Sequence, residues 1–377
     1  MTLSFAIGTV KGTVVRIHLT FLLLLAWIGA SALAHGGTLA ALYSIGFMLL
    51  LFLCVLLHEF GHVLAARRYG VKTPDITLLP IGGLARMERI PEAPAEELVV
   101  AIAGPLVNVA IAALLFAALG GLPAPEAATT EMPTTGRALL ERLAWVNVTL
   151  VVFNLVPAFP MDGGRVLRAF LGFRMGHVRA TQVAARIGQA LAFGFGLLGL
   201  MQGQAMLMFI ALFVYLGAGS EAASVQLLAA GRGIPLVDAM VTHFETLPPH
   251  ATVQQAAQLL LRTLQRQFPV VDGAGRLRGL LTHEAMVRAL HENAGALPVL
   301  DAMQRDIPTL GPRSSLAEAI TLLQQKEGVP AVAVTDADGR LLGLVTTETV
   351  GELMLLRAAT PAAVAGTKAN PETNPWA

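Results

Sequence analysis

Long apolar runs separated by short charged loops organise the first 220 residues. Four of them approach the ~20 residues that a membrane-crossing helix needs: Val15–Ala34, Leu39–Ala66, Glu97–Gly120 and Leu139–Pro157. A longer stretch, Val183–Ala218, is interrupted at Gln202–Gln204 and reads as two more helices joined by a tight turn, about six spans in all. After Gly219 the pattern changes. Val237–Met354 mixes charged and apolar residues at short range, as soluble domains do, and it repeats. "VDGAGRLRGLLTHE" (Val271–Glu284) matches "TDADGRLLGLVTTE" (Thr335–Glu348), and "DAM" occurs at Asp238 and Asp301. Each copy predicts helix, strand, turn, strand, helix, with "DGAG" and "DADG" as hairpin turns. The expected organisation is a polytopic α-helical membrane domain over 1–220, followed by two α/β repeats over 236–293 and 297–356. The segment 359–377, rich in Ala, Thr, Pro and Asn, is expected to be a disordered tail.

Composition sharpens this picture. Hydrophobic residues make up 55% of the 377 and charged residues 14%, against roughly 25% charged in soluble domains. The mean hydropathy of +0.65 belongs to a protein of the lipid bilayer. A net charge of +1 gives no electrostatic footprint for nucleic acid. Cys54 is the lone cysteine, so no intramolecular disulfide forms. The first run lacks a small-residue cleavage site and reads as an uncleaved span. Basic residues cluster before the first span (Lys11, Arg16), after the second (Arg67, Arg68, Lys72, Arg86, Arg89) and after the fourth (Arg165, Arg168, Arg174, Arg179). By the positive-inside rule both termini face the cytoplasm of a multi-pass protein in the inner membrane of a prokaryote.

Within the second run stands "HEFGH", residues 58 to 62. His58 and His62 are four apart and share one helix face. Two imidazoles so spaced can bind one Zn²⁺, and Glu59 can then act as base toward an activated water. Ionisable groups cost at least ~2.5 kcal/mol each at the centre of a membrane helix, so three together call for a compensating metal in a polar cavity. A helix-packing network without metal is the bland alternative. At 1.5 Å per residue, His62 lies roughly 7 Å and His58 roughly 13 Å inward from Arg67, in the cytoplasmic leaflet. A catalytic zinc takes three protein ligands and leaves a position open. Asp162, in "FNLVPAFPMDGGR", is the candidate third ligand: it follows the fourth span on the same side, after helix-breaking Pro157 and Pro160, with Gly163 and Gly164 free to turn tightly.

HEFGH, together with Asn154, Pro157, Asp162 and Gly163 in the pattern N-x-x-P-x-x-x-x-D-G, resembles the site-2 protease family of intramembrane zinc metalloproteases. "AGPLVN" (Ala103–Asn108) resembles that family's G-P-x-x-N element, and the C-terminal repeats resemble a CBS pair. The resemblance implies zinc held by His58, His62 and Asp162, with Glu59 moving the proton. It implies a membrane-tethered protein substrate cut within its transmembrane segment. It also implies weaker support roles for Asn154 and Asn108.

"ITLLPIGGLARME" (Ile76–Glu88) reads as two short strands around Gly82 and Gly83, and resembling proteins pair such a hairpin with extended substrate. CBS pairs often bind adenine nucleotides through G-x-x-[ST]-x-x-D. Thr282 and Thr346 fit, but Ala285 and Thr349 stand where the ribose-binding aspartate belongs. Nucleotide binding and a structural or homo-oligomerising role both stay open. His18 near the first span reads as an interfacial or packed histidine, with approach to the cavity as the alternative, and mid-span Asn147 as a residue that hydrogen-bonds to a neighbouring helix. Two other functions compete: a CBS-regulated channel or transporter, which lacks the expected internal symmetry, and a silent scaffold, against which an intact Glu59 argues.

Overall fold

The computed structural model describes residues 3–80, 82–87, 91–124, 135–263, 265–292, 294–325 and 328–359. The expected tail lies, from residue 360 onward, outside the described residues. The chain divides into two compact units, Met1–Val225 and Gln226–Ala377.

The first unit begins with strands rather than a span. β1 (Ser4–Val10) and β2 (Thr13–His18) form an antiparallel hairpin around Lys11 and Gly12, both at positive φ. The expected first span therefore starts at Leu19 instead of Val15: Thr13–His18 is a β-branched stretch that pairs on both edges, with β1 and, in parallel, with β3 (Asp75–Leu79). β3 pairs antiparallel with β4 (Gly82–Arg86), so the sheet runs β1-β2-β3-β4 and ends at β4. The two short strands expected in Ile76–Glu88 are thus present.

α1 (Leu19–Arg67) carries both of the first two expected spans. Gly37 leaves the helical region at φ 75° and ψ −173°. The limbs on either side fold back on each other: the Phe21 and Phe52 rings stand 4.3 Å apart, and a Cβ on Gly29 would fall 2.8 Å from the Ile45 side chain. α2 (Pro94–Leu119), α3 (Gly136–Asn154), α4 (Asp162–Met175), α5 (His177–Met201) and α6 (Ala205–Gly231) follow. Among the described residues four helices are long and apolar enough to cross a membrane: α1, α2, α5 and α6. α3, the expected fourth span, is not one of them; Arg137, Glu141 and Arg142 occupy its first two turns. The expectation of about six spans is therefore not reproduced by length and composition alone.

A buried ion-pair network ties three of these helices together. Arg168 of α4, 1% exposed, donates from Nε to Glu97 of α2 at 2.6 Å and from Nη1 to Glu221 of α6 at 2.5 Å, and its guanidinium lies over the Phe159 ring. Glu97 is 2% exposed; Arg168 is its hydrogen-bonded counter-charge, and His177 Nδ1 lies 3.9 Å from its other carboxylate oxygen. Removing one partner of a buried pair costs about 3–5 kcal/mol because the other charge stays behind. Arg168→Met is expected to destabilise the first unit on that scale, read as a lower unfolding midpoint of the protein in detergent. Arg168→Met combined with Glu97→Gln is expected to recover part of the loss. Equal midpoints for Arg168→Met and wild type would show that the pair holds nothing.

The second unit carries the two repeats. In the first, α7 (Val253–Arg262), the hairpin β5 (Gln267–Val271) and β6 (Leu277–Thr282), and α8 (His283–His291) surround Phe268, Val270, Leu281 and Met286. After the short α9 (Val299–Ala302), the second repeat adds β7 (Thr309–Leu310), α10 (Leu316–Gln325), β8 (Val332–Thr335), β9 (Leu341–Val345) and α11 (Thr347–Ala359). The expected order of elements recurs in both. The repeats exchange bridges in a two-fold manner: Val241 pairs with Leu344, Leu280 with Gln304, and Arg276 with Arg340 across the two hairpin turns.

Candidate metal centre

HEFGH lies in the second limb of α1, and the i, i+4 spacing puts His58 and His62 on one buried face. Asp162 comes from far along the chain. It opens α4, directly after the irregular segment Leu155–Met161. The two glycines behind it do not form the tight turn expected; both lie in the first turn of α4. Their role is clearance. A Cβ on Gly163 would fall 2.3 Å from the Val156 carbonyl oxygen, and one on Gly164 2.6 Å from the backbone of Ala158. Only a bare backbone lets α4 start pressed against that segment, and this start carries the Asp162 carboxylate back onto α1.

Three donor atoms converge there. His58 Nε2 and His62 Nε2 are 3.1 Å apart, and each lies 3.2 Å from Asp162 Oδ2. Each Nδ1 faces an acceptor on α2. His62 Nδ1 is 2.8 Å from the Val100 carbonyl oxygen, and His58 Nδ1 faces the Asn108 Oδ1. A carbonyl oxygen can only accept, so each Nδ1 carries the hydrogen and each Nε2 of a neutral imidazole presents a lone pair. Three lone-pair atoms at this separation repel one another unless a cation or a proton sits between them. A tetrahedral zinc with ligands at 2.0–2.1 Å places its donor atoms about 3.3 Å apart, and the observed triangle fits. The buried His58, His62 and Asp162 are also the one group of its kind among the described residues.

Gly104 of α2 completes the floor of the site. A Cβ there would stand 2.2 Å from His62 Nε2 and 2.7 Å from His58 Nε2. The glycine keeps open the space the three ligands share. Sequence reasoning passed over it, although it opens the G-P-x-x-N element already noted.

Glu59 is half-buried beside the triangle and lies under β4, where a Cβ on Gly83 would meet its Cγ at 2.7 Å. Gly82, at φ 135°, adopts a conformation that favours glycine and starts the strand. The edge strand β4 and the acidic side chain therefore share one mouth. Asn108 is fully buried against His58, a more direct placement than its sequence suggested. Asn154 ends α3, half-buried, and no hydrogen bond among the described residues joins it to the cluster.

In the second unit, Thr282 and Thr346 are helix N-caps. Thr282 Oγ1 accepts from the Ala285 N–H, and Thr346 Oγ1 from that of Thr349. Neither lines the cavity of about 850 Å³ that opens beside Met240, Arg313, Glu318 and Asp336.

The profile of Peptidase family M50 matches residues 46–195, and that of the CBS domain matches residues 236–292 and 299–353. The chain is 33% identical over 347 residues to zinc metalloprotease MJ0392 of Methanocaldococcus jannaschii, covering 92% of this chain and 94% of that protein. It is 33% identical over 121 residues to stage IV sporulation protein FB of Bacillus subtilis, covering 32% of this chain and 38% of that protein. A solved site-2 protease from Methanocaldococcus jannaschii aligns at 37% identity over 58% of this chain and 95% of its own, with a TM-score of 0.42.

Proposed function

We propose a function that starts from one premise: the chain belongs to peptidase family M50, the site-2 protease family of zinc metalloproteases, and carries a CBS pair. It is a metalloprotease, and the proposal concerns how and on what it acts. The reading is a membrane-embedded endopeptidase that cuts transmembrane segments of membrane-tethered proteins. The observation that carries it is the triangle of His58, His62 and Asp162 beside Glu59, with both histidines and the glutamate on a helix apolar enough to span a bilayer.

His58, His62 and Asp162 would hold a zinc ion, which would supply an acidified water and a Lewis acid for the peptide carbonyl. The chain's own groups do the rest. Glu59 is placed to act as the base that would accept a proton from the attacking water and as the acid that would return it to the leaving nitrogen. A transmembrane helix hides its carbonyls in its own hydrogen bonds, so the substrate must first unwind. β4 ends the sheet, and an extended substrate added beside it would gain backbone hydrogen bonds in place of those it lost. Gly83 permits that strand to run close over Glu59, and Gly82 takes the positive φ at which the strand starts. Asn108 supports the site through His58, and Asn154 stands at the turn that leads to Asp162.

The reading extends to a multi-pass protein of the prokaryotic inner membrane with both termini in the cytoplasm, and to regulation by the CBS pair. Adenine nucleotide is the ligand class that the family resemblance implies for that pair. The support is general, because Thr282 and Thr346 use their hydroxyls as helix caps.

Purified protein in detergent is expected to contain about one zinc per chain and to cut a membrane-tethered reporter within its span. A chelator is expected to abolish cutting, and added zinc to restore it. A protein that binds no metal, or that cuts equally after chelation, would overturn the proposal. Transport of a solute without cleavage would favour the channel or transporter alternative.

A further inference from the structure

Behind the metal centre a row of buried amides runs away from His58 across three helices. Asn108 of α2 and Asn147 of α3 are both fully buried. Asn147 Nδ2 donates to the Leu143 carbonyl oxygen at 2.9 Å, one turn back in its own helix, and also lies 3.4 Å from Cys54 Sγ. Asn108 Nδ2 donates to Asn147 Oδ1 at 2.8 Å, and Asn108 Oδ1 faces His58 Nδ1.

An amide side chain can be turned either way, and its orientation follows from its partners. Here the row admits one solution. The Leu143 carbonyl can only accept, so Asn147 must turn its Nδ2 toward it. That leaves the Asn147 Oδ1 facing Asn108, which must answer with Nδ2. Asn108 then presents Oδ1 to His58, whose Nδ1 must carry the hydrogen, and the lone pair falls on Nε2. The backbone of α3 thus fixes which nitrogen of His58 is free to bind a metal. His62 needs no such row, because the Val100 carbonyl contacts its Nδ1 directly.

We infer that Asn147 is a positioning residue for the metal centre: through Asn108 it sets the tautomer of His58. The inference rests on the reading of His58 as a zinc ligand. Outer partners of ligating histidines fix tautomer and ring orientation, and losing one typically lowers metal affinity by 10–100-fold. A purely structural Asn147 would affect packing and leave the tautomer alone.

The test uses the full chain in detergent with zinc removed, ¹⁵N-labelled at histidine. Wild type is expected to show His58 with a hydrogen on Nδ1, whether or not a proton shared with Asp162 also occupies Nε2. In Asn147→Leu the Asn108 amide is free to turn, and His58 is expected to populate the opposite tautomer while His62 keeps its own. Zinc affinity, measured by competition with a chromophoric chelator, is expected to fall about 10–100-fold. Asn147→Ala serves where leucine is not accommodated. Asn147→Asp in its protonated form can still donate to Leu143 and accept from Asn108, so it is expected to retain the wild-type tautomer. A wild-type tautomer and zinc affinity in Asn147→Leu would overturn the inference. So would a folded Asn147→Asp that behaves as Asn147→Leu does. The tautomer is read without metal, so it decides the role of Asn147 even if wild type took up no zinc, a result that would instead remove the ligand reading.

Discussion

Glu59→Gln is expected to keep wild-type zinc content and fold while cleavage of a membrane-tethered reporter falls by about 10²–10⁴-fold, the range that a positioned general acid–base supplies. The substitution conserves shape, so the close approach of Gly83 to the side chain is preserved. It also leaves the three converging donor atoms intact, since they belong to His58, His62 and Asp162. What changes is proton chemistry. A glutamine amide cannot take a proton from water near neutral pH, nor return one to the leaving nitrogen. The variant should therefore still bind substrate and zinc, and co-purification from native cells should trap uncut membrane proteins. Zinc content and reporter cleavage are measured on the same preparation. Equal turnover by Glu59→Gln and wild type would remove Glu59 from the reaction, whereas loss of zinc along with activity would make it a structural support of the site.

How far these residues can be read without coordinates follows from the range of the interaction each one makes. HEFGH is legible because a four-residue spacing on a helix is local: the fold has only to make α1 for His58 and His62 to meet. Asp162 required one further step, that the chain re-enters on the same side after Pro157 and Pro160. The prolines announced the break, but not that α4 would begin there, because the closeness of Gly163 and Gly164 to the Leu155–Ala158 backbone depends on tertiary packing. Gly104 was harder still, since its contribution is the absence of atoms in a space that exists only where α1 and α2 touch. Asn147 reads as a residue that hydrogen-bonds to a neighbouring helix, and its bond with Asn108 is of that kind; its reach to His58 runs through that second helix and depends on tertiary packing. The N-terminal strands were obscured for another reason. Val15–His18 is continuous with the apolar run of α1, so hydropathy assigned it to the span. The signal against this was the β-branched pattern after Lys11 and Gly12, the hairpin turn.

The second large effect expected is loss of the metal on adding a single methyl group. Gly104→Ala would place a carbon 2.2 Å from His62 Nε2 and 2.7 Å from His58 Nε2, in the space where those lone pairs converge. Real contacts are not that short, so something must move. Separating α1 from α2 is not an easy escape, because the same interface is already tight at Gly61, where a Cβ would lie 2.7 Å from the Ala103 carbonyl oxygen. The histidine rings are the parts that yield, and each is tethered at Nδ1 to α2 itself, through Val100 and Asn108. Rotation away from the methyl therefore breaks the contacts that present Nε2. Zinc affinity is expected to fall by more than about 100-fold, beyond the 10–100-fold typical of losing an outer partner alone, and cleavage is expected to vanish with it. Helix propensity works the other way, since alanine is favoured over glycine in a helix interior by about 1 kcal/mol. Gly46→Ala in α1 supplies the contrast. A Cβ there meets nothing within 4 Å, so the same chemical change should leave zinc affinity and cleavage at wild-type values. Chelator competition on the two variants side by side separates occlusion of the ligand space from any general response of the helices. Wild-type zinc affinity in Gly104→Ala would mean that the ion is not held between those two nitrogens.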